Sequence, residues 1–381
     1  MEEKKRIDEI KMNILGTNII SSLGFTTDEN FDAVKQGISG IKHYDAKTYD
    51  LPEAFMASLI NKEKLNDEFA LFSSIKNYSN LEKAAIISII YANNEAKIDL
   101  SSERTIFVLS TTRENVDFLN NKNDNRKFLW HTADLIINFF ENKNTPIIVC
   151  NACISGAAAQ IAAMRALQSG KYDNTVVIGV DLLSKFIIAG FQALKALSQE
   201  HCKPFDKKRV GLNLGEASST IIFSNKGHKR IRLMAGAIRN DSNHISAPSR
   251  TAEGAYRALR NILHNIDIEK ISFVNAHGTA TLYNDAMETV AINRAGLADV
   301  PVNSLKAYFG HTLGASGVLE SIISIMALRE KMVLKSMNFK EQEFENPINI
   351  STENHTSEKI YFVKMLSGLG GVNAALLFFK A

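Results

Sequence analysis

The residues best suited to chemistry are one cysteine and two histidines, each at the end of an apolar run. Cys153 lies in CNACISGAAAQIAAMRALQSGKY (150–172), after the β-like run NTPIIVC and before an alanine-rich stretch. A cysteine where a strand turns into a helix meets unpaired backbone N–H groups and the positive end of the helix dipole. Both favour the thiolate, which predicts a lowered pKa. The same N–H groups can hold a developing oxyanion. His277 in VNAHGTATLYNDAMET and His311 in NSLKAYFGHTLGASGVLE each follow a β run and stand beside glycine. In open α/β sheets, ligands bind at the carboxyl ends of strands.

Other chemistries compete for the same residues. Cys150 and Cys153 form a C-x-x-C pair, which reads as core packing, a redox pair or a nucleophile. A redox pair needs both thiols at the helix start, whereas Cys150 belongs to the strand end. A metal site needs more ligands than His201 and Cys202 supply, and there is no second C-x-x-C, so no metal is expected. The nucleophile reading fits Cys153 better than Cys150. A lone histidine is ordinarily a surface or satisfied core residue; two at strand ends shift the balance. Asp285 and Glu288 are compatible with a carboxylate pair for acid–base work. The plainer reading is preferred for them, acids gathered at a helix N-terminus.

The elements that must position these groups alternate. TIFVLS (105–110), NTPIIVC and TVVIGV (175–180) read as strands, with helices at FLWHTADLIINFFEN (128–142) and GAAAQIAAMRALQSG, the latter closed by Gly170. After a polar stretch, SNKGHKR (224–230), the rhythm returns. RIRLMAGAI leads to a helix over 250–266, the strand ISFVNAHG, a helix near YNDAMETVAINRAG, the strand VNSLK and the long helix GASGVLESIISIMALREK. IYFVKML and NAALLFF close the chain as strands. Alternation of this kind predicts an α/β fold with a mainly parallel, buried sheet. It also predicts two similar, tightly packed halves, 1–225 and 226–381. Their likeness is one of element order, not of letters.

The chain's 381 residues, 45% hydrophobic and 22% charged, suit a folded globular protein. A net charge of +3 from 44 basic and 41 acidic residues gives no reason to expect a nucleic-acid partner. No apolar run approaches a bilayer span, Glu320 breaking the longest, and MEEKKRIDEIKMNILG has no apolar leader core. A cytoplasmic protein without a membrane partner is expected. The three cysteines do not suggest a disulfide framework.

ACISG, NAHGTAT, KAYFGHTLGASG and GLGGVNAALLF stand in an order and approximate spacing that resemble the β-ketoacyl-acyl-carrier-protein synthases of the elongating, Cys-His-His type. PFDKKRVGLNLGE (204–216), FQALKALS (191–198) and NIISSLGFTTDENFDAVKQGISGI extend the resemblance almost end to end. It implies a thiolase-like fold of two similar α/β halves in five layers, and a homodimer or a heterodimer with a related subunit. It implies that Cys153 takes an acyl group from acyl carrier protein and that backbone N–H groups of Cys153 and Leu369, within Gly368–Leu369–Gly370, hold the oxyanion. His277 and His311 would stabilise the enolate of decarboxylated malonyl carrier protein. Lys306 would give electrostatic support, Glu320 a structural partner, and Thr279 and Thr281 contacts to the pantetheine arm. No cofactor is implied, because the substrates travel on the carrier's phosphopantetheine arm. The carrier is acidic, and Lys62, Lys64 and Arg126 are candidates for a basic entrance.

The chain departs from the family's pattern in places. NSFGFGGTN reads MLSGLGGVN, so the gating phenylalanine falls at Leu369; GEGAG reads GEASS at 215–219, and the segment between 110 and 145 is trimmed. These departures suggest a specialised polyene or polyketide-like pathway beside ordinary fatty acid elongation. A non-condensing chain-length partner usually lacks the nucleophile, which is present here. A thiolase carries a second catalytic cysteine near the C-terminus, and no cysteine follows Cys202. A catalytically idle scaffold for carrier proteins is left open.

Overall fold

The computed structural model describes residues 12–381, apart from positions 75, 76, 114, 122, 228, 242, 245 and 246. Most of the charged N-terminal stretch read above therefore lies outside the described residues, as does His228 of the polar connection. In chain order the strands are β1 (Met12–Ile20), β2 (Lys42–Tyr44), β3 (Phe55–Ser58), β4 (Thr105–Ser110), β5 (Ile147–Val149), β6 (Asn174–Asp181), β7 (Leu214–Gly215), β8 (Ala217–Ser224), β9 (Ile231–Asn240), β10 (Ile271–Asn275), β11 (Val302–Asn303), β12 (Met332–Val333), β13 (His355–Thr356), β14 (Tyr361–Gly368) and β15 (Val372–Lys380).

The main sheet runs β11-β10-β14-β15-β9-β1-β8-β6-β4-β5. Outward from the β1–β9 contact, the two sides have the same plan. The first strand of each side (β1 or β9) pairs antiparallel with the last (β8 or β15), which pairs antiparallel with the preceding long strand (β6 or β14). Two more strands add in parallel, β4 then β5 on one side and β10 then β11 on the other. The repeated element order of the sequence is thus a repeated topology. The expectation of a mainly parallel sheet holds only at the outer strands. The centre is antiparallel because β14 and β15 are joined by a tight hairpin, with Gly370 and Gly371 at positive φ, and because β8 returns against β6 and β1.

Helices fill both faces and the middle. Asn80–Ala96 covers β1, β8 and β6 on one outer face, with Leu129–Asn138 packed on it and on β5, burying a cluster that includes Ile86, Ile89, Phe107 and Ile178. Glu253–Ile262 and Leu282–Arg294 cover the other, around Leu259, Ile292 and Val363. Between the two sheet halves lie Ser155–Gln168 and Ser316–Arg329, whose buried faces meet Val177, Ile221, Leu366 and Leu376. This is the five-layered thiolase-like arrangement. The expected boundary at 225/226 falls in the connection between β8 and β9.

The middle helices cross without side chains at the contact. A Cβ on Gly156 would lie 2.8 Å from Gly317 Cα, and one on Gly317 would lie 2.5 Å from Ala157 N. Gln160 Nε2 fastens the crossing by donating to Gly317 O at 3.0 Å. Among the described residues, no helix is long and apolar enough to cross a membrane.

Gly317→Ala should destabilise the chain by about 2 kcal/mol, because overpacking costs more than the gain in helix propensity. Urea unfolding reads this directly. An unchanged midpoint and slope would show that the helices can part freely.

Candidate active site

Cys153 sits on a sharp turn between β5 and the helix Ser155–Gln168. Ala152 holds φ at +46°, unusual for a residue with a Cβ. Ser155 pins the turn, its hydroxyl donating to Ala152 O at 2.6 Å and accepting from Asn151 N at 2.8 Å. The helix has no side-chain cap; the Ser155 N–H instead donates to Ala152 O at 3.2 Å.

The histidines approach from the other half. His277 follows β10, and its backbone N–H and that of Gly278 donate to the two carboxylate oxygens of Glu288, each at 2.7 Å. Gly278 has φ +46°, and a Cβ there would meet Ser304 at 2.5 Å. His311 N donates to Asn213 O at 2.7 Å, and His311 O accepts from Gly215 N at 3.0 Å. Leu313 N donates to His311 Nδ1 at 3.1 Å. An accepting Nδ1 places the ring proton on Nε2, which is buried without a protein partner. The two rings are edge to face with centroids 5.0 Å apart. The reactive atoms of Cys153, His277 and His311 all lie within 4.8 Å of one another.

These groups open on a cleft of ≈ 420 Å³, also lined by Thr279, Thr281, Gly368, Leu369 and Gly370. The Thr279 and Thr281 hydroxyls are 2.9 Å apart. Leu369 stands half-exposed at the rim on the β14–β15 hairpin. Its N–H and that of Cys153 bear on the thiol and favour its ionised form. Lys306 begins the short helix Lys306–Phe309, past the end of β11 and not inside a strand as its surroundings predicted. Its ammonium is hydrogen-bonded to Glu320 in a fully buried pair.

Burial dominates the electrostatics. It pushes the Cys153 thiol up to about 11, although Lys306 and the Leu369 N–H oppose it. Desolvation of the thiolate thus acts against the acidification expected of a thiol at a helix N-terminus. The rings of His277 and His311 are held well below the usual histidine range, first by burial and then by Lys306. Both are neutral at pH 7.

Other expectations change. Asp285 does stand in the first turn of the helix Leu282–Arg294, with Glu288 further along it, but neither meets solvent. Both are fully buried, Asp285 accepting from Phe205 N at 2.8 Å and Glu288 clamping the His277 loop. Burial raises the pKa of each. Lys62, Lys64 and Arg126 do not line the cleft; Lys195 does. Lys64 lies over the Phe25 ring, and Arg126 is paired with Asp124. Cys150 is exposed, outside the cleft lining, with its sulfur 3.7 Å from Thr112 O. Cys202 is a core residue.

A cysteine and two imidazoles in one cleft suit more than one reaction, and comparison with known proteins narrows the choice. The N-terminal domain of the beta-ketoacyl synthases matches residues 127–227 and the C-terminal domain residues 232–340. The chain belongs to the β-ketoacyl synthase family. It is 26% identical over 414 residues to 3-oxoacyl-[acyl-carrier-protein] synthase 2 of Vibrio harveyi, covering 96% of this chain and 98% of that protein. The protein of the same name from Rhizobium meliloti is 31% identical over 252 residues, 60% of this chain and 59% of that protein. Among solved structures, a beta-ketoacyl synthase from Burkholderia phymatum superposes with a TM-score of 0.86 at 23% identity, covering 97% of this chain and 99% of that one. The ishigamide ketosynthase/chain length factor gives 0.87 at 20% identity, covering 98% and 100%. These two likenesses establish the fold.

One buried group of this family member escaped sequence reasoning. Lys364 interrupts the apolar strand IYFVKML, and its ammonium lies 2.6 Å from Glu320 Oε2. A lysine inside a buried run was the available signal.

In a Cys150→Ser background, alkylation of Cys153 by iodoacetamide should rise about tenfold per pH unit from pH 7 to 10, since the thiolate reacts. Lys306→Met removes a charge that lowers the thiol pKa and should slow the reaction at every pH. A rate already at its plateau at pH 7 would contradict the protonated thiol.

Proposed function

We propose that this β-ketoacyl synthase condenses an acyl group on Cys153 with malonyl-acyl carrier protein, releasing carbon dioxide and a β-ketoacyl-acyl carrier protein. The observation that carries this reading is the meeting of one thiol, two neutral imidazoles and two backbone N–H groups at the end of a single cleft. In the first step, the Cys153 sulfur attacks the acyl thioester, and the thiol's proton ends on the departing pantetheine sulfur. Malonyl carrier protein then loses carbon dioxide. The electron pair of the broken C–C bond becomes an enolate, whose oxygen takes hydrogen bonds from His277 and from His311 Nε2–H. Neutral donors suffice where negative charge develops. The enolate carbon attacks the Cys153 thioester, the oxyanion rests on the N–H groups of Cys153 and Leu369, and collapse releases the Cys153 sulfur as a thiolate, which takes up one proton from solvent to restore the thiol. All electrons come from bonds within the substrates, so the scheme requires neither metal nor redox cofactor.

Thr279 and Thr281 suit the amide-rich pantetheine arm, since hydroxyls both donate and accept. Lys306 supplies a positive potential beneath the site, and Glu320 keeps it in place. Carrier protein is the expected partner. One similar solved structure is a type II polyketide acyl carrier protein in complex with its ketosynthase, and another is a Xenorhabdus doucetiae ketosynthase in complex with its chain length factor. A dimer, of two copies or with a related subunit, is supported by the edge position of β5 and by exposed Leu119, Phe128, Trp130 and Phe186. The cytoplasm is the expected location. Leu369 gives the cleft an aliphatic rim, which favours aromatic or unsaturated chains of a specialised polyene or polyketide pathway.

Intact mass tests the reading. Acyl carrier protein charged with short, medium and aromatic groups should leave an acyl adduct that disappears as malonyl carrier protein is added and β-ketoacyl product forms. Cys153→Ala should abolish both. Product formation unchanged by that substitution, or no adduct with any donor, would move the weight to a scaffold or partner subunit.

Leu369→Phe should narrow the range of acyl groups accepted in the same assay. An unchanged preference would remove Leu369 from the determinants of specificity.

A further inference from the structure

Lys364 lies fully buried on β14, directly opposite Asn275 of β10 in the parallel pairing. Its ammonium faces four oxygens. They are Glu320 Oε2 at 2.6 Å, Met365 O at 2.9 Å, Ala276 O at 3.2 Å and Asn275 O at 3.5 Å. Three of these oxygens lie on segments that lead to a reacting group, and the fourth reaches one through Lys306. Asn275 and Ala276 immediately precede His277. Lys364 and Met365 lie on the strand that ends in Gly368 and leads to Leu369, whose N–H bears on the sulfur. Glu320 binds Lys306 through its other oxygen, and Lys306 stands five residues before His311 in the chain.

A buried lysine is costly unless it is paired and hydrogen-bonded. Lys306 alone would already neutralise Glu320, so the ion pair does not require Lys364. The second ammonium leaves the cluster with one net positive charge. What Lys364 adds is the pair of backbone contacts just before His277, together with a positive charge that disfavours protonation of both rings.

We propose that Lys364 is a positioning residue for the condensation: its ammonium gathers the carbonyls of Asn275 and Ala276 and the second oxygen of Glu320, and so fixes the His277 ring relative to Cys153 and the Leu369 N–H. The proposal rests on the condensing reading above. The residue touches no substrate. It acts through the strand end, as a bolt through three layers of the site.

Lys364→Met tests this in the full chain. It keeps the aliphatic stem and leaves Lys306–Glu320 as a neutral buried pair, so the fold should persist, as thermal unfolding would verify. The expected result is a kcat lowered about 10- to 100-fold, the scale of a small misplacement of reacting groups, with KM for both carrier substrates nearly unchanged. The ring nitrogen resonances of 15N-labelled His277, assigned by their loss in His277→Asn, should shift. Lys364→Gln keeps a donor for the two carbonyls and should recover part of the rate. Unchanged kcat and unchanged His277 resonances in folded Lys364→Met would overturn the proposal, as would a Gln variant no better than Met. If the unaltered protein forms no β-ketoacyl product, the condensing reading fails instead, and the His277 resonances alone then decide whether Lys364 positions the ring.

Discussion

The distance between Gly156 and Gly317 governs the rest of the molecule. Neither residue has room for a Cβ, so the two middle helices touch backbone to backbone. Cys153 lies just before one of these helices and His311 just before the other. Close approach at the crossing therefore draws the nucleophile of one half toward the histidines of the other. Neither helix has a side-chain cap at its N-terminus. Both starts are buried, Ser155 and Ser316 being fully enclosed.

Packing of this density has an electrostatic consequence. Little water reaches His277 and His311, and the partly exposed Cys153 is desolvated by its surroundings, so each group favours its neutral form. For the histidines that is an advantage, because a neutral ring with a fixed proton is a donor that does not titrate near pH 7. For the thiol it is a constraint. Lys306 and two backbone N–H groups offset part of the desolvation, and the remaining stabilisation of negative charge is spent on states that form during reaction.

Buried carboxylates hold the framework around these neutral groups. Glu288 clamps the His277 loop through two N–H donors, Asp285 holds Phe205, and Asp181 accepts from Thr111, Thr112 and Gly314. Glu320 differs in being flanked by two lysines. Removing Glu320 would leave two buried ammonium groups without a counter-charge, a loss expected to cost about 3–5 kcal/mol, whereas removing Lys364 leaves a neutral pair. The asymmetry suits a glutamate that supports the fold and a lysine that tunes the site.

The sequence by itself determined the reacting residue types and their setting. Cys153, His277 and His311 stood past strand ends, the two histidines beside glycines, and strand ends in an α/β order are where side chains converge. The order of elements also carried the repeat of the two halves, since periodicity is a local property. What depended on burial was not legible. Asp285 and Glu288 look like ordinary acids at a helix start, and only the layers packed over that helix make them internal clamps. The acidity expected of Cys153 followed from the local helix dipole, and the surrounding layers act against it through desolvation. Lys62, Lys64 and Arg126 were placed at the entrance from charge alone, but neighbours such as Phe25 beside Lys64 and Asp124 beside Arg126 hold them outside the cleft lining. Lys364 and Glu320 meet across 44 residues, and Cys153 and His311 across 158. Long-range contacts of this kind leave no periodic trace along the chain, so their chemistry was decided only when the two halves packed.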